Sequence, residues 1–152
     1  QICDNLIEYG DREVEIIDWY ILDHHDNLIT KSISSEDHCT IVIKAKFNQY
    51  QKYSIFGYFL TDSKGREIVG TNTKYEDCEV SDRNAGDEIE VRFSQVFGLA
   101  AGEYFLNIGC SQIVDQGIKA HHRLYNLCVL NFYSKQNRVG FYSPKTKVEL
   151  NF

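Results

Sequence analysis

Short stretches in which apolar and polar residues alternate restrict the fold of this sequence more than any other feature. In Cys39–Phe47, Ile41, Ile43 and Ala45 fall on one side of an extended chain, and the residues between them are mostly polar or charged. Successive side chains of a strand point to opposite faces of the sheet, so this pattern is typical of a half-buried antiparallel strand. The pattern therefore predicts β-sheet rather than amphipathic helix.

The same alternation recurs along the chain, with turn residues between the segments. Short strands spaced roughly 8–14 residues apart are typical of a sandwich. We predict one all-β domain over residues 1–152, an immunoglobulin-like antiparallel β-sandwich of eight or nine strands, and expect a helix only at residues 1–9. The predicted strands are Glu13–Leu22, Cys39–Phe47, Tyr53–Thr61, Arg66–Thr71, Glu88–Val96, Gly102–Ile113, His121–Phe132, Val139–Tyr142 and Lys147–Phe152.

Charge and cysteine content exclude several classes of function. The net charge is −6, from 16 basic and 22 acidic residues, and no basic cluster is present, which argues against nucleic acid or anionic lipid as a partner. No apolar run approaches the ~20 residues of a spanning helix. Five cysteines without a C-x-x-C pair indicate reduced thiols in a cytosolic setting. Because the sequence has no methionine, we expect a fragment of a longer polypeptide.

Motifs for nucleotide binding and catalysis are missing from the sequence. No glycine precedes a lysine, no two glycines are separated by one residue, and no G-x-S-x-G is present. The pairs His24-His25 and His121-His122 are adjacent, so on a strand their side chains point to opposite faces and neither pair chelates one metal. We predict no enzyme activity, no catalytic residue and no metal site.

Phe56–Thr73, FGYFLTDSKGREIVGTNT, carries the most specific motif of the chain. An apolar strand containing glycine is followed by a D-x-x-G hairpin and by a strand that closes in G-T-N-T. This stretch resembles the Wzt C-terminal domain family, the carbohydrate-binding domains of the ATP-binding subunit of ABC exporters for O-antigen and related polysaccharides. Gly10–Asp23, Ala101–Cys110 and Tyr125–Ser134 are similar to other strands of the family.

The resemblance implies a function, partners and a location. It implies non-catalytic recognition of the non-reducing end of an O-antigen-type polysaccharide, which is presented to an ABC transporter at the cytoplasmic face of the bacterial inner membrane. The expected partners are the polysaccharide, the chain's own N-terminal ATPase domain, the transmembrane subunit and a second copy of the chain. No cofactor is expected here, with ATP only in that N-terminal domain. Some members exchange a C-terminal strand, which for residues 145–152 would pack Val148 and Leu150 on a partner's sheet.

The last two long predicted strands offer a surface for sugar. Matching their apolar faces pairs Ile108 with Asn126 and places Tyr125 opposite Gly109, although a slip of one residue would invert the faces. An aromatic ring beside amide and hydroxyl groups suits the apolar and polar sides of a pyranose. The predicted carbohydrate-binding residues are Tyr20, Phe105, Asn107, Ser111, His121, Arg123 and Tyr125.

Each of these residues also has an ordinary structural explanation. A tyrosine such as Tyr125 is common on the solvent-exposed face of a sheet, and a histidine such as His121 is common in a turn. Asn72 of the G-T-N-T motif is expected to bond its own backbone. Trp19 falls on the apolar side of the first strand, which leaves Tyr20 facing outward.

Two other functions compete with glycan binding. A protein-interaction or dimerisation module would bury Tyr125 and Asn107 beneath another subunit. An enzyme acting on glycans would need two carboxylates facing each other in one cleft, and the sequence shows no such pair.

Overall fold

The chain folds into two β-sheets packed face to face, as predicted for an all-β sandwich. The computed structural model describes residues 3–137 and 139–152. A six-stranded sheet has the order β1-β9-β8-β5-β6, with β3 pairing parallel to β9, and a three-stranded sheet has the order β2-β4-β7; all other pairs are antiparallel. The strands are β1 (Ile7–Tyr9), β2 (Val14–Leu22), β3 (Ser32–Ser34), β4 (His38–Phe47), β5 (Ser54–Thr61), β6 (Glu67–Asn72), β7 (Glu88–Val96), β8 (Gly102–Val114) and β9 (Gly117–Tyr133).

The core lies between the two sheets and follows the alternation of the sequence. Ile41 and Phe47 of β4 meet Phe56 and Leu60 of β5 in one cluster, and all four are 0% exposed. Removal of this apolar surface from water is the main favourable term in folding. All five cysteines are free thiols, and burial raises the pKa of Cys39 to about 11, as expected of an inert core thiol.

The two ends of the chain differ from the sequence prediction. The helix expected at residues 1–9 is wrong for residues 3–9, because Ile7–Tyr9 pairs with β9 as a short edge strand; residues 1 and 2 lie outside the described residues. The strands predicted at Val139–Tyr142 and Lys147–Phe152 are also wrong. Among the residues described after Tyr133, the β-pairing is limited to an isolated bridge between Tyr142 and Leu99. Alternation alone cannot make a strand, since the backbone also needs a neighbouring strand to bond with.

The motif that carries the family resemblance has a structural role. The Thr73 hydroxyl accepts the backbone N–H of Phe56 at 3.2 Å, and the Asn72 amide oxygen accepts that of Tyr75 at 2.8 Å. Thr73 is buried, so the end of the G-T-N-T segment is fixed to β5. The structural explanation of Asn72 is therefore confirmed.

A bulge divides the hairpin of β8 and β9 at Asn107. Leu106 is opposite Cys128, but Ile108 is opposite Leu124, so the three residues 125–127 face one residue of β8. The predicted register holds before this bulge and is wrong by two residues from Ile108 to Cys110, and a second shift follows between Cys110 and Ser111. The amide oxygen of Asn107 accepts the N–H of Asn126 at the bulge at 2.8 Å, and its amide nitrogen donates to the carbonyl of Phe59 on β5 at 3.2 Å.

Two adjacent buried histidines of β9 hold the N-terminal segment. His122 accepts the backbone N–H of Ile16 at Nδ1, and its Nε2 lies 2.8 Å from Glu8. Nδ1 of His121 lies 3.0 Å from Asp11. Between these two carboxylates, Gly10 adopts a φ of 139°, and a Cβ there would lie 2.2 Å from the carbonyl oxygen of His121. Only glycine allows this approach, which sets the position of β1 on the sheet.

Replacement of Asn107 by alanine should destabilise the fold. The change leaves the N–H of Asn126 without its acceptor, and an unpaired buried polar group costs about 1–3 kcal/mol. Urea unfolding at equilibrium should show a loss of that size. The control is Ser111→Ala, a half-buried position of the same strand, for which we expect a change within about 0.5 kcal/mol. Equal effects of the two variants would contradict the role given to the bulge.

The histidine contacts also predict how stability depends on pH. The hydrogen bond from His122 lowers the pKa of Glu8 below its ordinary value of 4.5. Burial raises the pKa of Asp11, but hydrogen bonds from the Glu13 backbone and from His121 outweigh it and hold the pKa below 3.8. The unfolded chain therefore takes up protons first as the pH falls. The free energy of unfolding contributed by these carboxylates should be present above about pH 4.5 and lost below it.

The double variant Glu8→Gln, Asp11→Asn tests this dependence. Urea unfolding between pH 7 and pH 3 should show a shallower acid decline in the variant than in the wild type, because two of the titrating groups are gone. The double variant Glu103→Gln, Asp115→Asn, at two exposed positions, controls for the loss of two negative charges. Parallel declines in the wild type and the double variant would contradict the prediction.

Candidate functional site

A groove crosses the outward face of the six-stranded sheet. Its floor contains Gly57 of β5 and Gly109 of β8, which are directly opposite each other, so no side chain rises from this part of the sheet. The groove has a volume of about 480 Å³. It is lined by Ile55, Gly57, Tyr58, Phe59, Glu67, Ile68, Val69, Gly70, Thr71, Asn72, Tyr75, Ile108, Gly109, Cys110, Ser111, Arg123 and Tyr125.

A row of three aromatic rings runs beside this floor. Tyr125 of β9 makes edge-to-face contacts with Phe59 at 5.4 Å and with Tyr9 of β1 at 5.8 Å, measured between ring centroids. Burial raises the pKa of Tyr125, and a hydrogen bond with Tyr9 adds to the effect. The contacts on two sides hold the Tyr125 ring in place at the edge of the groove.

Arg123 lies at the same end of the groove. It is directly opposite Gly109 on β8 and directly opposite Tyr9 on β1. Its guanidinium carbon is 5.8 Å from the centroid of the Tyr9 ring, and its Nη1 donates to the Tyr9 hydroxyl at 3.0 Å. A cation near an aromatic face and a hydrogen bond to a phenol both fix the direction of this side chain.

Three of the seven predicted site residues meet in the groove: Ser111, Arg123 and Tyr125. Phe105 lies on the same strand as Gly109, but it is four residues away and does not line the groove. Tyr20 lies in the three-stranded sheet, on the opposite side of the sandwich, where its hydroxyl donates to Glu90 at 3.3 Å. The outward position predicted for Tyr20 is consistent with this contact, but the structure does not bring Tyr20 to the other six.

Asn107 and His121 were predicted at the surface, and the structure corrects both. Asn107 is 2% exposed because its amide binds the backbone at the bulge. His121 is 0% exposed and is turned toward Asp11, so it is neither a turn residue nor accessible to a sugar. Tyr125 is not opposite Gly109 as predicted; Arg123 takes that place, because the bulge shifts the register.

Sequence reasoning missed two of the rings. Tyr9 falls in a segment predicted as helix, and Phe59 falls in a strand that is apolar on both faces. The cross-strand pairing of Gly57 with Gly109 was also missed, although each glycine interrupts an apolar strand. Glycine within a strand often marks a close approach of a ligand or of another backbone, and this signal could have indicated the floor.

Asp11, Glu13 and His121 form a cluster whose possible ligand atoms lie within 4.8 Å of one another. The ammonium group of Lys119 contacts the Glu13 carboxylate and lies 3.6 Å from Oδ2 of Asp11. A cation of the chain itself thus compensates the two acids. The cluster is explained without a metal ion, and the absence of a metal site stays a prediction.

The comparison with models of protein families found a match. A family model described as the Wzt C-terminal domain matches residues 5–144. The chain belongs to the Wzt C-terminal domain family. This family is part of the polysaccharide ABC exporters, so membership gives the chain a carbohydrate-related role.

One solved structure similar to this family member is the crystal structure of the C-terminal domain of Wzt. The two chains are 18% identical, with a TM-score of 0.88 over 99% of this chain and 91% of that chain. At this identity the similarity shows the fold alone. No curated protein matches the chain. The residues described by the structure include no helix long and apolar enough to cross a membrane.

The two floor glycines should respond differently to substitution. A Cβ at Gly57 would lie 2.9 Å from the carbonyl oxygen of Thr71, whereas a Cβ at Gly109 would meet Cγ of Arg123 at 3.4 Å and the carbonyl oxygen of His122 at 3.5 Å. Gly57→Ala should therefore lower the free energy of unfolding by about 1–3 kcal/mol, the usual cost of overpacking. Gly109→Ala should be neutral or slightly stabilising, because glycine weakens a strand. Thermal and urea unfolding measure the stability of both variants. Equal destabilisation by the two substitutions would contradict the difference in space around the two glycines.

Proposed function

We propose that the domain binds the non-reducing end of an O-antigen-type polysaccharide in the groove of the six-stranded sheet and presents it for export. The observation that carries the proposal is the glycine floor beside Tyr125 and Phe59. A pyranose has an apolar face that packs on aromatic rings, and the open floor leaves room for the sugar against the backbone. The preference for a chain end follows from the family resemblance.

Polar groups around the groove suit the hydroxyls of a sugar. Ser111 and Asn72 line it on β8 and β6, and Arg123 lies beside the rings. A volume of about 480 Å³ is within the range of about 300–1,000 Å³ for small-molecule sites. Groups of this kind in an open groove give weak binding, since ordering and desolvation offset much of the contact energy. We therefore expect dissociation constants in the range of about 10 μM to 1 mM.

The proposal is for recognition without catalysis. Glycosidases act through two carboxyl groups about 5–10 Å apart across the bond that is cleaved. Among the described residues that line the groove, Glu67 is the only acid. A single carboxylate at the edge strand β6 does not provide the pair that hydrolysis needs.

The proposed location and partners of the domain come from the family resemblance. The domain would follow an ATPase domain of its own subunit, on the cytoplasmic side of the membrane, and act together with the transmembrane subunit. ATP would bind only to that ATPase domain. Two copies would offer two grooves, and a homodimer could thereby gain avidity for glycans that are close together.

A second candidate is an interaction or dimerisation module. The observation that favours it is the C-terminal segment, in which the apolar side chains of Val148, Leu150 and Phe152 are exposed. If a second copy of the chain exchanges this segment, these side chains would pack on the partner's sheet. This contact is compatible with glycan binding unless it covers Tyr125.

Binding to purified O-polysaccharides from several serotypes tests the first candidate. Calorimetry or NMR titration should show binding to one or a few serotypes. Gly109→Val should abolish it, because the added side chain fills the floor of the groove, whereas its Cβ has room and valine favours strands. Tyr125→Ala should weaken binding about tenfold through loss of stacking.

The matched control is Tyr20→Ala on the opposite sheet, which should bind as the wild type does. Far-UV circular dichroism and urea unfolding establish that each variant is folded. Equal binding to all serotypes, or unchanged binding by folded Gly109→Val, would refute the proposed site.

A further inference from the structure

Arg123 has no carboxylate partner among the described residues, and it shares this property with Arg83. Arg83 instead donates to the backbone carbonyl of Asp82 at 2.8 Å and does not line the groove. Arg12, Arg66 and Arg92 each contact at least one carboxylate, at distances from 2.6 to 3.6 Å. Among the residues that the structure describes, no carboxylate lies within 4.0 Å of the Arg123 guanidinium. This is notable in a chain with 22 acidic residues and a net charge of −6.

The contacts of Arg123 leave most of its hydrogen-bonding capacity unused. A guanidinium has five N–H donors and no acceptor. One of them bonds the Tyr9 hydroxyl, and the guanidinium also interacts with the Tyr125 hydroxyl. The side chain is half-buried beside aromatic rings, so part of its hydration is lost. A neutral phenol compensates the lost hydration of a cation poorly, whereas an anion compensates it well, because Coulomb attraction strengthens as water is excluded.

The nearest acid that lines the groove is distant. Glu67 lies on β6, three strands away from Arg123 on β9, which corresponds to roughly 14 Å across the sheet. Arg123 and Tyr125 line this end of the groove, and Tyr9 lies beside them. This end therefore presents one positive charge, and no acid among the described residues contacts the cation.

We propose that the sugar bound in the groove carries an anionic group, a carboxylate or a phosphate, and that Arg123 binds this group. The inference rests on the proposed function and specifies the class of glycan. The planar fork of the guanidinium matches both kinds of oxyanion through two parallel hydrogen bonds. The Tyr9 hydroxyl accepts a hydrogen bond from Arg123, so its own proton can be donated to the anion. The rings hold the sugar, and the charge selects among sugars.

The test uses an O-polysaccharide that the domain binds, in three forms: intact, carboxyl-reduced with carbodiimide and borohydride, and dephosphorylated with cold aqueous hydrofluoric acid. Calorimetry with the wild-type chain should show that one treatment weakens binding at least tenfold, which corresponds to about 1.4 kcal/mol. Loss on carboxyl reduction identifies a carboxylate, and loss on dephosphorylation identifies a phosphate.

Variants of Arg123, combined with the chemical treatments of the polymer, test whether Arg123 and the anionic group interact directly. Arg123→Gln should bind the intact polymer at least tenfold more weakly, and the chemical treatment should then have no further effect, because the two changes remove the same interaction. Arg123→Lys should bind with intermediate strength, since it keeps the charge but loses the fork. Arg92→Gln, on the opposite sheet, makes the same change in net charge and should bind as the wild type does.

The outcomes separate this inference from the proposed function. Binding that survives both treatments, or a bound polymer that contains neither carboxylate nor phosphate, overturns the inference and leaves glycan recognition in place. If no O-polysaccharide binds, the proposed function fails and the inference fails with it.

Discussion

The bulge at Asn107 is the feature on which the arrangement of the groove depends. Without it, β8 and β9 would keep the register in which Leu106 is opposite Cys128, and Tyr125 would lie opposite Gly109, as the sequence suggested. The two-residue shift instead puts Arg123 opposite Gly109. Such a shift leaves backbone groups without ladder partners, and the Asn107 amide oxygen accepts one of them, the N–H of Asn126. A buried polar side chain thus stabilises the bulge that decides which residue of β9 lies opposite Gly109.

The second determinant is the way in which the N-terminal segment is attached. Tyr9 lies between Glu8 and Asp11, and these two carboxylates are held by the adjacent histidines of β9. His122 also accepts the N–H of Ile16, which fixes its uncharged Nδ1 and leaves Nε2–H for Glu8. A three-residue edge strand would be marginal alone. The buried contacts beneath it keep the Tyr9 ring against Tyr125, so the inner face of the sheet positions the aromatic row on the outer face.

The sequence predicted those parts of the fold that local pattern encodes. Alternation located the seven longer strands, and the D-x-x-G and G-T-N-T turns identified the hairpin of β5 and β6. Alternation could not locate β1 or β3, because a strand of three residues is too short to show an alternating pattern. Both strands form because β9 offers a neighbour to pair with. The bulge was missed for a related reason. An outward Asn and a buried, backbone-binding Asn look the same in a list of residues. At the C-terminus, Val148, Leu150 and Phe152 alternate like a strand, but their pattern finds no surface within this chain.

The segment that identifies the family serves both the fold and the groove. Thr73 accepts the backbone N–H of Phe56 and fixes the end of β6 to β5, and Asn72 accepts the N–H of Tyr75 in the turn that follows. Gly57 and Phe59 of the same segment line the groove. Arg123 and Tyr9 lie outside this segment and contact each other through their side chains. The carbohydrate-related role follows from membership of the family. In the proposed site, the choice among sugars depends on side chains outside the motif, and the guanidinium of Arg123 restricts that choice most.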